Sequence, residues 1–162
     1  MPFTDVLTAN ESYAAGFDGD ALTGRAAKGL AVLTCMDTRI DPLGMLGLRP
    51  GDAKILRNAG GRVTDDALRT LVLASYLLNV DRVMVIAHTD CRMVGVTDDD
   101  VHEAIARAGG PDTRSLVFQV TDDLEDTLRH DVRRIKSFPY LTGVEVGGFV
   151  YDVRTGRLAQ LC

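Results

Sequence analysis

The chain has 162 residues and a mass of 17.5 kDa, enough for one domain of ordinary size, which argues against a two-domain dehydrogenase. Its hydrophobic fraction of 46% and charged fraction of 25% are typical of a globular protein with a sizeable core, and they exclude wholesale disorder. With 18 basic and 23 acidic residues the net charge is −5, so nucleic acid and anionic membranes are poor candidates as partners.

The sequence shows no pattern for a membrane span or a secretory signal. Its longest apolar stretch, residues 71–78, is far shorter than the roughly 18–20 residues that a span needs. Residues 1–10 carry Asp5 and no Lys or Arg ahead of an apolar run. We therefore expect a single domain over residues 1–162, located in the cytoplasm.

Three short runs of β-branched and aliphatic residues, at 29–35, 53–57 and 82–88, are typical of buried strands in a parallel sheet. Between the second and third runs, residues 64–79 carry apolar side chains at helical spacing over a broad face. This pattern predicts a helix that is mostly buried.

The starts of three helices share one signal. Thr64, Thr97 and Thr121 are each followed by two Asp residues, and a hydroxyl cap with acids in the first turn is typical of a helix N-terminus. The third start leads into a narrow apolar stripe of Leu124, Leu128, Val132 and Ile135. We therefore predict three capped helices.

The last part of the chain predicts a hairpin, with a strand at residues 144–153, a turn at 154–157 and a short edge strand at 158–161. Gly143, Gly147 and Gly148 in this strand pattern indicate a bulge or a close backbone approach. Strands that alternate with helices predict an α/β fold: a Rossmann-like, mostly parallel central sheet with helices on both faces and an antiparallel C-terminal edge strand.

Chemically reactive side chains follow the ends of two predicted strands. Cys35 ends the first strand and precedes Asp37 and Arg39, and alternate residues of an extended backbone project to the same side. His88 ends another strand and is followed closely by Cys91. Because ligands of open α/β sheets bind where the carboxyl ends of the strands meet, we expect both groups at one place.

Cys35, His88 and Cys91 form a Cys₂His set, the right kind and number of ligands for one catalytic Zn²⁺ ion per chain with an open fourth position. Zinc lowers the pKa of bound water from about 16 toward about 7, which provides a hydroxide nucleophile. Since two thiolates cancel the charge of the metal, a cation such as Arg39 becomes useful. Arg39 is also placed to pair with Asp37 and aim that carboxylate at the hydroxide.

Other enzyme classes fit these residues less well. Asp41 stands where a cysteine phosphatase would need Arg, and neither a Cys-x-x-Cys pair nor the nucleobase-deaminase pattern is present. The remaining candidates are expected to be structural: a solvated helix start at residues 98–100, surface histidines at 102 and 130, and a free, mobile thiol at Cys162.

These motifs resemble those of the β-class carbonic anhydrases, which carry Cys-x-Asp-x-Arg and, later in the chain, His-x-x-Cys. The resemblance covers residues 29–158 and is closest to short bacterial members. The further stretches that agree are Gly51-Asp52-Ala53, Arg57-Asn58-Ala59-Gly60, Val63-Thr64-Asp65-Asp66, Gly148-Phe149-Val150-Tyr151-Asp152 and Thr155-Gly156-Arg157-Leu158.

The resemblance implies zinc held by Cys35, His88 and Cys91, with Asp37 and Arg39 as the catalytic pair in the reversible hydration of carbon dioxide to bicarbonate and a proton. In some members the aspartate instead occupies the fourth zinc position in an inactive state, so Asp37 is also a candidate metal ligand. The family further implies a homodimer, or a dimer of dimers. Its N-terminal helical arm, within residues 1–25 and helical over about 3–15, would embrace the partner, and residues 29–162 would form the α/β core.

The chain departs from the family pattern at Arg92, where most members have Gly. A non-glycine residue at a positive φ costs about 1–2 kcal/mol and would tilt the ligand loop; alternatively, the new cation acidifies the zinc-bound water. The glutamine that plant-like members bring to the carbon dioxide pocket is also missing, since the glutamines are Gln119 and Gln160.

Two other functions stay open at this point. The same zinc site would serve the hydrolysis of carbonyl sulfide or carbon disulfide, as in some relatives of this fold, and the zinc motifs do not distinguish these substrates. A catalytically silent zinc-binding dimer is the other alternative, with Arg92 as the sign that catalysis has been lost.

Overall fold

A computed structural model describes residues 2–162, which form four α-helices, two short 3-10 helices and a sheet of five strands. The helices are α1 (Thr4–Ala14), α2 (Asp65–Leu77), α3 (Asp98–Arg107) and α4 (Leu124–Lys136). The strands are β1 (Leu30–Cys35), β2 (Ala53–Asn58), β3 (Arg82–His88), β4 (Glu145–Tyr151) and β5 (Leu158–Gln160). All five strands lie within two residues of their predicted bounds.

The sheet has the order β2-β1-β3-β4-β5. Strands β2, β1, β3 and β4 are parallel to one another, whereas β5 pairs antiparallel with β4. The predicted mostly parallel sheet with an antiparallel edge strand is therefore confirmed. Because the chain moves from β1 to β2 on one side and later returns to β3 on the other, the carboxyl ends of β1 and β3 adjoin at a topological switch point.

Two hydrophobic clusters cover the two faces of the sheet. Alternate residues such as Leu33 and Val85 pack with α2 and α4, whose buried side chains include Leu71 and Ile135. The opposite cluster contains Val32 and Ile86 and is packed by the segment around the short 3-10 helix Gly44–Leu46. The two long helices α2 and α4 thus cover the same face of the sheet, whereas a short 3-10 helix and its flanking loop cover the opposite face.

Two of the three predicted helix caps are confirmed. The Thr64 side chain accepts a hydrogen bond from the Ala67 backbone, and Thr97 forms a reciprocal capping box with Asp100. The third prediction is wrong, because α4 is capped by Asp123 rather than Thr121. Aspartate caps a helix as well as a hydroxyl side chain does, so a Thr-Asp-Asp run does not show which of its three residues is the N-cap.

Helix α2 is less buried than its sequence pattern predicts. Its inner face, with Leu68 and Leu71, is buried, but Leu73, Tyr76 and Leu77 are 44%, 67% and 62% exposed. Helix α1 has no buried residue at all. It occupies Thr4–Ala14 of the predicted arm, and residues 15–25 contain no further helix or strand. In residues 2–162, every helix is too short or too polar to cross a lipid bilayer.

The C-terminus is packed rather than mobile. Cys162 is half-buried against the first hydrophobic cluster, and its carbonyl accepts a hydrogen bond of 2.8 Å from the Gly148 backbone. A Cβ at Gly148 would lie 2.7 Å from the Cys162 sulfur and 3.0 Å from Val132. The close approach predicted for this glycine is confirmed, and the mobile thiol predicted at Cys162 is corrected.

Gly61 provides a test of how tightly the end of β1 is packed. It has a φ of +65°, and an added Cβ would lie 3.0 Å from the Cys35 nitrogen. Gly61→Ala should lower the free energy of unfolding by clearly more than the roughly 1–2 kcal/mol expected for left-handed strain alone. Gly109→Ala is the matched control, because φ is +78° there with no atom within 4 Å. Equal losses in urea unfolding of the two variants would contradict the packing argument.

Candidate metal centre

Cys35, His88 and Cys91 form a cluster at the switch point, where their ligand atoms all lie within 4.8 Å of one another. Cys35 is the last residue of β1, His88 is the last residue of β3, and Cys91 follows in the next loop. Cys35 and His88 are 4% and 1% exposed. All three side chains that the sequence places at this edge are therefore brought together, and both thiols are free of disulfide bonds.

Hydrogen bonding orients the His88 ring toward the cluster. Its Nδ1–H donates to the carbonyl of Thr89 at 2.9 Å, so in the neutral ring Nε2 is the nitrogen that carries the lone pair. Among residues 2–162, His88 Nε2 is the buried side-chain nitrogen that has no hydrogen-bond partner. A buried polar atom without a partner is costly, and a metal ion bound by Nε2 and the two nearby thiols would satisfy it.

The donor set fits a zinc ion. Two cysteine sulfurs and one imidazole nitrogen are ligands that Zn²⁺ prefers, and three protein ligands are typical of a catalytic site. A backbone carbonyl that holds the other ring nitrogen is the usual outer support of a metal-bound histidine. Burial raises the pKa of the Cys91 thiol, and the neighbouring Cys35 raises it further. A bound cation would act in the opposite direction and favour the thiolate.

Asp37 and Arg39 form a bidentate ion pair beside this cluster. Arg39 Nε donates to Asp37 Oδ1 at 2.9 Å, and Nη2 donates to Oδ2 at 2.8 Å. The Arg39 backbone N–H also donates to Oδ1 at 2.9 Å. These hydrogen bonds hold the pKa of the Asp37 carboxyl well below its usual range, so Asp37 is an ionised acceptor at neutral pH.

Asp37 lies beside the ligand cluster without belonging to it. Its Oδ2 atom is 4.0 Å from His88 Nε2, and Asp37 is not one of the three residues whose ligand atoms form the cluster. In this conformation the carboxylate is bound to Arg39 rather than available as a fourth ligand. The structure therefore shows the paired arrangement of Asp37 that the sequence pattern predicts.

The loop that carries Cys91 has its backbone strain at Asp90 rather than at Arg92. Asp90 has a φ of +55°, and Arg92 is not among the residues of 2–162 with positive φ. The carbonyl of Asp90 accepts a hydrogen bond from Arg39 Nη2 at 3.1 Å, and its side chain pairs with Arg154. Arg92 is exposed, so this position tolerates a side chain, and the loop tilt considered from the sequence has no basis in the backbone.

Two residues that the sequence analysis assigned no role support the loop after Cys35. Arg57 Nε donates to the Cys35 carbonyl at 2.9 Å, and its Nη2 donates to the Asp37 carbonyl at 2.6 Å. Asn58 is paired with Cys35 in the sheet register. The Arg57-Asn58 motif at the end of a strand was visible in the sequence, but its function depends on β2 lying beside β1.

The other candidate residues lie outside the cluster. His102 Nδ1 is 2.9 Å from the Thr113 hydroxyl and its ring packs against Phe118, whereas His130 is exposed on α4. Residues 98–100 form the first turn of α3, as predicted. None of these side chains belongs to the group of potential metal ligands found among residues 2–162.

Comparison with known proteins agrees with this geometry. Residues 30–136 match the family model described as carbonic anhydrase. The chain is 39% identical over 158 residues to Beta-carbonic anhydrase 1 of Mycobacterium tuberculosis, covering 97% of this chain and 96% of that protein. It is 34% identical over 155 residues to carbon disulfide hydrolase of Saccharolobus solfataricus, covering 81% and 76% of the two chains.

The fold is also similar to that of a solved relative. The crystal structure of carbonic anhydrase from Streptococcus mutans superposes with a TM-score of 0.93 and 34% identity, covering 100% of this chain and 98% of that one. Family model, full-length sequence similarity and fold agree. The chain therefore belongs to the β-carbonic anhydrase family.

Proposed function

We propose that this protein catalyses the zinc-dependent, reversible hydration of carbon dioxide to bicarbonate and a proton. Cys35, His88 and Cys91 hold the metal in this proposal, and Asp37 and Arg39 act beside it. The observation that carries the proposal is the unpartnered Nε2 of buried His88, which faces two free thiols and lies next to an ion-paired carboxylate. Family membership supports the same reaction.

When bound, zinc supplies the Lewis acidity that ionises water near neutral pH. The protein supplies orientation. Both oxygens of Asp37 already accept hydrogen bonds from Arg39, and Oδ2, which accepts only one of them, can accept another and lies 4.0 Å from His88 Nε2. Because its pKa is low, Asp37 acts as an acceptor that aligns the reacting water and not as a strong base.

Arg39 has two functions in this arrangement. It holds Asp37 in place through three hydrogen bonds, and its positive charge offsets the two thiolates that neutralise a divalent ion. Asp37 would serve as a fourth metal ligand only if it left Arg39. Such a closed state would exchange a charge-assisted bidentate pair for a metal bond and would make Asp37 both a helper and an inhibitor.

The metal-ligand assignment predicts the effect of single substitutions. Cys35→Ser and His88→Ala should each reduce bound zinc from about one ion per chain to a small fraction, because two ligands hold the ion much less tightly than three. Cys162→Ser is the matched control, since this third thiol lies in the hydrophobic cluster and should leave zinc content unchanged. Elemental analysis of protein purified without chelators measures the result. Full zinc retention in the Cys35 and His88 variants would refute the assignment.

The reaction itself is tested by stopped-flow hydration of carbon dioxide. The wild-type protein should be active, and Asp37→Ala should keep its zinc and lose about a hundredfold in rate, the scale expected when a group that positions the reacting water is removed. Asp112→Ala is a close control: Asp112 and Arg114 form the same i, i+2 bidentate pair away from the ligand cluster. This variant should retain both zinc and rate.

Carbon disulfide is the informative second substrate, because relatives named carbon disulfide hydrolase match this chain too. Release of sulfide by zinc-loaded protein that does not hydrate carbon dioxide would contradict the proposal in favour of that activity. Zinc-loaded protein that acts on neither substrate would instead support the silent dimer.

We also propose that the protein is a homodimer, alone or within a dimer of dimers. Helix α1 buries none of its residues. Leu7 on this helix and Phe3, the residue that precedes it, are 63% and 67% exposed. The outer face of α2 adds three exposed apolar side chains: Leu73, Tyr76 and Leu77. Apolar surfaces of this kind are typical of interaction sites, and a second copy of the chain offers a matching surface.

Sedimentation equilibrium tests the dimer. The wild-type protein should have about twice the chain mass of 17.5 kDa, or about four times that mass as a dimer of dimers. The double variant Phe3→Glu/Leu7→Glu should shift the mass toward the monomer, because two charges would be buried without partners. Val117→Glu is the control, since Val117 is 77% exposed in a loop outside α1 and α2. A wild-type monomer at tens of micromolar would contradict the proposal.

A further inference from the structure

A buried ion pair that the proposed reaction does not use lies beside the ligand cluster. Arg62 Nε donates to Asp131 Oδ2 at 2.8 Å, and the two side chains are 17% and 3% exposed. Asp131 Oδ2 also accepts the Val63 backbone N–H at 3.2 Å. Arg62, Asp131, His88 and Cys91 line one small cavity.

Arg62 is connected to the Cys35 side of the cluster through Asn58. The Arg62 backbone N–H donates to Asn58 Oδ1 at 2.7 Å, and Asn58 Nδ2 donates back to the Arg62 carbonyl at 2.8 Å. Asn58 is paired with Cys35 in the sheet, and its carbonyl accepts the Met36 N–H at 3.0 Å. The intervening Gly61 packs against the Cys35 backbone. The position of Arg62 is thus linked to the loop that begins at Cys35.

The side chain of Arg62 reaches the Cys91 side through another segment. Its Nη1 donates to the carbonyl of Gln119. Two residues further on, Thr121 pairs with the Cys91 loop: its N–H donates to Met93 at 3.0 Å, and its carbonyl accepts from Gly95 at 2.7 Å. The Val94 N–H in turn donates to the Cys91 carbonyl at 3.1 Å. Arg62 is therefore linked to both halves of the ligand set, to the Cys35 side through its backbone and to the Cys91 side through its guanidinium.

We propose that Arg62 and Asp131 are positioning residues that hold the Cys35 loop and the Cys91 loop at the separation that zinc requires. This inference rests on the proposed function. Asp131, anchored on α4, fixes the guanidinium through both oxygens, at 2.8 Å and 3.4 Å. The guanidinium in turn holds the Gln119 segment beside the Arg62 backbone, which is bonded to Asn58. Ligands held before the metal arrives bind it more tightly, because less order must be imposed on binding.

A purely structural ion pair would stabilise the fold without affecting the metal. The double variant Arg62→Met/Asp131→Leu separates these roles, since replacing both partners of a buried pair by apolar side chains often leaves stability unchanged or raises it. The readouts are urea unfolding of the zinc-free protein, the zinc dissociation constant by chelator competition, and the visible absorption spectrum of the cobalt(II)-substituted protein. The control is Arg69→Met/Asp66→Leu, the same change at an exposed pair on α2.

The double variant should bind zinc roughly tenfold more weakly, in the range for loss of an outer support of a metal site, and its cobalt spectrum should change. The control should match the wild type. A dissociation constant within twofold of the wild type together with an unchanged cobalt spectrum would overturn the positioning role. A wild-type protein that binds no zinc would overturn the proposed function as well.

Arg62→Lys provides a second variant that keeps the charge pair. A single ammonium group cannot serve Asp131 and Gln119 with the fork geometry of a guanidinium. We therefore expect folded protein with weaker zinc binding than the wild type. Wild-type affinity in Arg62→Lys would also overturn the proposal, even if the double variant does not fold.

Discussion

The site depends on one constraint: the carboxyl ends of β1 and β3 lie side by side, so the last residue of each strand reaches the same point. Cys35 and His88 are those residues, and the short loop after β3 returns Cys91 to them. The imidazole is turned by its bond to the Thr89 carbonyl so that Nε2 faces the thiols. Two free thiols and an unpaired nitrogen in a buried place are unfavourable by themselves, and a soft divalent cation would relieve all three.

The charges around this cluster follow from the same geometry. Asp37 lies two residues beyond Cys35, close enough to face His88, yet Arg39 occupies both of its oxygens. Arg57 fixes the intervening backbone through the carbonyls of Cys35 and Asp37, and Arg39 also contacts the Asp90 carbonyl in the opposite loop. The ion pair therefore joins the two loops on one side of the ligands. Arg62, held by Asp131, is linked to both loops by a different set of contacts, through Asn58 and through Gln119.

The sequence predicts the strands and the ligand cluster well because both depend on local pattern. Short buried strands are recognisable from runs of β-branched residues, and residues at the carboxyl ends of parallel strands are expected to lie together at one edge of the sheet. Contacts between elements distant in sequence are not predictable in this way. Asp131 is an acid on an amphipathic helix, where exposure is the normal expectation, and only the packing of α4 against the loop after β2 brings it to Arg62. The exposed outer face of α2 was missed because helical spacing does not show whether an apolar side chain contacts its own chain or another.

Zinc-edge X-ray absorption of the protein purified without chelators tests the central claim most directly, because it counts the atoms around the metal by element. The account predicts zinc bound by two sulfur ligands and one histidine nitrogen, with one further light-atom ligand. A metal surrounded only by nitrogen and oxygen, or one sulfur in place of two, would contradict the convergence of Cys35, His88 and Cys91 on a single ion.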